Sequence, residues 1–102
     1  MATPNRIYVG QTKLTFYATV NVDIAGAQEM KIKYKKPVSG TEGFWTATEE
    51  AASAGILKYN VASTSILDEA GVWILWGWVK DSNGKVAPGD PFKITVYEEG
   101  QP

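Results

Sequence analysis

From Glu29 to Lys36 the chain alternates with a period of two. Met30, Ile32 and Tyr34 fall on one side and Lys31, Lys33 and Lys35 on the other. Alternation of this kind marks a half-buried β-strand. The same pattern runs from Lys13 to Val20, with Leu14, Phe16, Ala18 and Val20 sharing one face. It returns from Phe92 to Tyr97, where Phe92, Ile94 and Val96 point inward. Shorter apolar runs at Arg6–Val9, Phe44–Thr48 and Ile56–Val61 predict further strands.

The stretch from Val72 to Val79 differs. It holds three of the four Trp residues and is apolar on both faces. Its β-branched and aromatic content suits a pleated surface. Turn residues bound it, so a central strand is predicted. Trp73, Leu75 and Val79 are assigned to the core, because Gly77 beside them leaves room for a facing ring. Ile74, Trp76 and Trp78 then lie on the second face. Two readings of that face stay open. Long side chains from neighbouring strands cover it, or it meets a partner, as large exposed apolar patches do.

Turn chemistry supplies the punctuation. Asn83-Gly84 between two apolar runs is a strong hairpin signal. Pro88 and Pro91 make the return path a bulged or edge segment. Pro37 to Gly43 reads as a flexible loop, and Asp23 to Ala27 as a connection plugged by Ile24. Glu49 to Ala54 has helical propensity but is short and ends at Gly55, so a loop with one helical turn is expected. The lysine row of Lys31, Lys33 and Lys35 invites a reading as a phosphate contact, but a solvated face that guards an edge is preferred, because acids balance it elsewhere and the row holds no Arg. These signals predict an all-β fold, an immunoglobulin-like antiparallel β-sandwich of about seven strands. An up-and-down barrel or a jelly roll is the alternative.

At 102 residues the chain is the size of one domain. Residues 1–5 and 98–102 are expected to form polar, flexible tails. There is no Cys, hence no disulfide and no thiolate metal site. There is no His, which removes the commonest general base and metal ligand. With ten basic and eleven acidic residues no field of one sign stands out, which argues against nucleic acid and membrane partners. The N-terminal residues lack the apolar core of a signal peptide.

Candidate chemistry is sparse. Glu49-Glu50 and Glu98-Glu99 are neighbours on a strand and point opposite ways. Ser63, Thr64 and Ser65 have no His to activate them. Asp81-x-Asn83-Gly84 starts like a calcium loop but lacks the distal ligands. No catalytic residue, cofactor site or metal site is assigned, and an enzyme is not expected. Trp45, Trp76 and Trp78 with Tyr17 remain as a candidate aromatic platform, on which a sugar ring would stack.

Several segments together resemble a known group. They are Ile7 to Thr12, Met30 to Pro37 followed by a Gly-containing loop and Trp45, Leu67 to Trp73, and Asn83-Gly84-Lys85 with Gly89-Asp90-Pro91. In this order they resemble small immunoglobulin-like phage structural proteins and the N-terminal modules of baseplate and tail-fibre proteins. The Tyr that immunoglobulin-type domains carry near their crossing strand is absent; Trp73 takes the comparable place. The Cys pair of antibody domains is absent too. The resemblance implies a non-enzymatic virion protein, made and assembled in the host cytoplasm. It would dock on a tail, baseplate or capsid through strand faces and edges, with other virion proteins or copies of itself as partners. The contact residues would be Ile74, Trp76, Trp78, Trp45 and Tyr17. A carbohydrate- or receptor-binding module is the alternative function.

Overall fold

The computed structural model describes residues 6–100. The expected arm of residues 1–5 and the last two residues of the expected C-terminal tail lie outside them. Among the described residues nine strands pack as two sheets into an all-β, immunoglobulin-like sandwich, and no helix occurs.

The larger sheet has the order β1-β9-β7-β3-β4, with β8 also paired to β7. Its strands are β1 (Ile7–Tyr8), β3 (Glu29–Lys35), β4 (Glu42–Thr46), β7 (Gly71–Lys80), β8 (Val86–Pro88) and β9 (Phe92–Tyr97). The smaller sheet has the order β2-β6-β5, from β2 (Thr15–Thr19), β5 (Thr48–Ala51) and β6 (Ile56–Asn60). Pairing is antiparallel throughout except for β1 with β9, which is parallel. The Trp-rich stretch is indeed central. β7 pairs with β3 on one side and with β8 and β9 on the other.

Trp73, Leu75 and Val79 face the core, as assigned. Ile24 is buried at 2% exposure, the plug expected of it. Gly77 leaves room, but not for a ring. A Cβ there would meet Ala18 Cβ and Leu57 Cδ1 at 3.3 Å and Val20 Cγ1 at 3.4 Å, all from the facing sheet. The aromatic centre lies elsewhere. Trp45 of β4 is sandwiched between Phe16 and Tyr59 of the smaller sheet, with ring centres 5.5 and 5.0 Å away and planes nearly parallel. Tyr34 and Trp73 tilt against it at 4.9 and 6.3 Å. Offset and tilted pairs at such distances add to burial through the ring quadrupoles.

Three expectations are corrected. Thr48–Ala51 is a strand, not a loop with a helical turn. The chain leaves β4 and enters the other sheet within one residue. Ala47 is buried between the sheets, and its amide bonds Met30 O at 2.9 Å. β-Pairing with β6 supplies backbone partners that outweigh the local helical propensity of Glu49 to Ala54. β3 is not an edge, because β4 and β7 flank it. Its lysine row therefore guards no edge. Finally, the loop from Pro37 to Gly43 is fastened rather than loose. Glu69 accepts hydrogen bonds from the amides of Val38 and Ser39 and from the Ser39 hydroxyl, at 2.7–3.1 Å.

The predicted hairpin forms after β7, with Gly84 alone in the left-handed region at φ 80°. Asp81 Oδ1 accepts the amides of Asn83 and Lys85 at 2.9 Å, so the carboxylate at the head of the calcium-loop-like stretch is a turn cap. Gly89 lies between β8 and β9 against the Thr19 carbonyl at the end of β2. A side chain there would drive into that backbone.

Candidate functional site

Alternation along β7 turns Val72, Ile74, Trp76 and Trp78 away from the core. Register fixes what lies beside them. Lys31, Lys33 and Lys35 of β3 stand opposite Trp78, Trp76 and Ile74. Phe44 of β4 stands opposite Lys33, and Lys93 of β9 opposite Ile74. The outer face of the six-stranded sheet is thus a lattice of rings and ammonium groups. Lys31 Nζ lies 4.1 Å from the centre of the Phe44 ring and 4.9 Å from that of Trp78. Lys33 Nζ lies 4.7 Å from Trp78. These are cation–π distances, and the lysine stems cover apolar surface beneath. Of the two readings of this face, cover by long neighbouring side chains is realised at Trp78.

The cover is partial. Ile74, Trp76 and Trp78 are half-buried, while Val72 and Phe44 are 46% and 50% exposed. Charge is also unevenly shared. Five lysines point outward here, Lys31, Lys33, Lys35, Lys80 and Lys93, against two carboxylates, Glu29 and Glu42. This is an excess of three positive charges on a chain of net charge −1. Glu29 is shared by Lys31 at 3.2 Å and Lys80 at 3.6 Å. The bond from Lys31 is the chief reason why its carboxyl sits below the usual value of 4.5. Lys33, Lys35 and Lys93 have no carboxylate partner among the described residues. This cationic grouping was missed in the sequence because balanced totals hide segregation in space. The signal was the lysine row itself, read as an edge guard.

The five candidate contact residues do not form one surface. Ile74, Trp76 and Trp78 share the outer face of the larger sheet. Trp45 is 6% exposed and stacked inside the core, so it cannot join them. Tyr17 is 54% exposed, on the outer face of the smaller sheet across the sandwich. The candidate aromatic platform for a sugar ring is therefore not assembled from these four residues. Trp45 was misassigned because either face of a strand as short as β4 can be the buried one.

The concave sites offer little for chemistry. At one end of the sandwich a pocket of about 210 Å³ is lined by Val22, Ile24, Val79 and Ala87, with Asp23 and Asp81 at its rim. Both carboxylates already accept turn amides, Asp23 from Ala25 and Asp81 from Asn83 and Lys85. No group of three or more His, Cys, Asp or Glu comes together among the described residues.

No protein-family model matches the chain, and no curated protein matches it. A solved structure does. The chain resembles CopC from Methylosinus trichosporium OB3b, with a TM-score of 0.51 and 14% sequence identity, over 95% of this chain and 88% of that one. At this identity the likeness shows a shared β-sandwich fold alone. It overturns the expected kinship with phage structural modules. The short segments behind that expectation are what any small sandwich needs for its strands and turns, and the structural likeness is to CopC rather than to a virion component. The virion function and the virion location fall with it.

Proposed function

We propose that the chain is a non-enzymatic protein-docking domain that binds through the outer face of its six-stranded sheet. One observation carries the reading. Val72, Ile74, Trp76, Trp78 and Phe44 lie together on a solvent-facing surface, although the core is already filled from the other face by Trp45, Trp73, Leu75 and Ile32. Large rings on a flat, partly covered sheet face are the usual anchors of protein interfaces. The flat geometry and the absence of His and Cys favour docking over catalysis.

Comparative capture from the protein's native source tests the reading. The wild type, a Trp76→Ser/Trp78→Ser variant and a Tyr17→Ser control would be immobilised, and retained proteins compared. Near-ultraviolet circular dichroism would confirm that all three are folded. A partner held by wild type and control, and lost by the double variant, is the expected result. Retention by the double variant, or loss in the control, would overturn the proposal. Absolute mass over a tenfold concentration range shows whether that partner is a second copy of the chain.

A further inference from the structure

We infer that the docking face takes an acidic polypeptide segment in extended form. This rests on the docking role proposed above and names the partner's chemistry. Lys33, Lys35 and Lys93 are the cations of the face that have no carboxylate partner among the described residues. They are also placed in a pattern. Lys35 and Lys93 flank Ile74 on the two neighbouring strands, so an apolar patch lies between two free ammonium groups. Along β3 the lysines recur at every second residue, a spacing of about 6.8 Å. An extended chain with acidic residues at alternate positions has the same repeat. Its carboxylates meet the lysine row, and the intervening side chains point away from the sheet.

Two other occupants fit less well. A second copy docked face to face would bring the same excess of positive charge from both partners into one interface, and like charges across an interface oppose association. Single-stranded nucleic acid carries anions at a similar spacing, but it gains much of its binding from bases stacked on open rings. Two ammonium groups already lie 4.9 and 4.7 Å from the centre of the Trp78 ring. Salt-sensitive recognition of carboxylates is what this face provides best.

The test uses a synthetic peptide alternating Glu and Val, with oligothymidylate of equal charge as its rival. Binding is followed by amide chemical shifts of the labelled protein and by titration at low and high salt. The peptide is expected to move the amides of Lys33, Lys35, Ile74 and Lys93, and to be released by salt. Lys33→Gln/Lys35→Gln/Lys93→Gln is expected to weaken it by about tenfold. A control triple on other surfaces, Lys13→Gln/Lys58→Gln/Lys85→Gln, is expected to leave it unchanged. Equal weakening in the control, face amides that do not move, or tighter binding of the oligothymidylate would each overturn the inference. If the peptide fails while comparative capture still depends on Trp76 and Trp78, the docking role stands and only its acidic partner is lost. If capture fails as well, both fall.

Discussion

The indole Nε1 of Trp73 donates a 2.9 Å hydrogen bond to the main-chain carbonyl of Glu69, four residues upstream. Trp73 is fully buried on β7, and Glu69 sits in the turn that leads into that strand. The bond ties the corner to the core. Immunoglobulin-type sandwiches use a Tyr hydroxyl at the comparable corner to reach back to the backbone. Here an indole N–H does so, and Lys36 Nζ lies 5.8 Å from the centre of the same ring while bonding Asp68 at 2.9 Å.

Trp73→Phe keeps a ring but removes this donor and part of the volume. The loss is expected to be about 2–3 kcal/mol, from the unmade bond and the cavity together. Urea unfolding monitored by circular dichroism measures it. A change under about 0.5 kcal/mol would mean that the corner bond holds nothing in place.

Two glycines separate backbone strain from side-chain crowding. Gly55 has φ 69°, and a Cβ there would run into the main-chain carbonyls of Val20 and Val22. Gly77 would place its Cβ only against side-chain carbons at 3.3–3.4 Å. Gly77→Ala is expected to cost about 1 kcal/mol. Gly55→Ala is expected to cost more, roughly 2–3 kcal/mol, because backbone cannot yield as a methyl group can. Thermal melts of the two variants would refute this if their order came out reversed.

The lysine cover over Trp78 is separable from the core. Lys31→Gln/Lys33→Gln is expected to lower stability by only about 1 kcal/mol, the scale of exposed cation–π contacts. Its clearer signature is optical. The steady-state emission of Trp78 changes as its ring loses two ammonium neighbours, whereas the buried Trp45 and Trp73 keep theirs. An unchanged emission spectrum would show that the lysines do not stay over the ring in solution.

Acid should loosen the loop clamp. The Ser39 hydroxyl, then the Ser39 amide, and after them the Val38 amide and Lys36, hold the Glu69 carboxyl below its usual value of 4.5. A carboxyl lowered by folding binds its proton less readily in the folded state. Its contribution is complete above pH 4.5 and disappears as pH falls through the lower folded value. Glu29 behaves alike through Lys31. Lys36, raised above 10.5 chiefly by Asp68, has the opposite sense; its contribution is complete below pH 10.5 and is lost as pH rises through the higher folded value. Urea midpoints at neutral pH and at about pH 3 should fall less for Glu69→Gln than for wild type. Equal falls would remove Glu69 from the acid response.

The strands were legible wherever alternation was clean. The period of two in β2, β3 and β9 placed Phe16, Ile32 and Val96 inward, and the structure buries all three. The turn at Gly84 was legible because a tight β-turn needs a residue that accepts positive φ. Thr48–Ala51 was not legible, since its strand character comes from pairing with β6 and not from its own composition. The inward choice for Trp73 over Trp76 was reached from Gly77, and the contact that justifies it is aliphatic rather than aromatic.

The candidate site was legible only in part. Ile74, Trp76 and Trp78 share a face because strand geometry demands it, whatever the fold around them. That they stand beside Lys31, Lys33, Lys35 and Lys93, and that Trp45 and Tyr17 lie elsewhere, depends on which strands pair and in what register. The sequence by itself determined the alternating strands, the turns and an all-β sandwich, because these follow from the chain's local stereochemistry and from burying one face of each strand. Only the tertiary structure decided which cations meet which rings and where the charge collects. Those contacts join residues far apart in the chain, and a shift of one residue in strand pairing would exchange the faces.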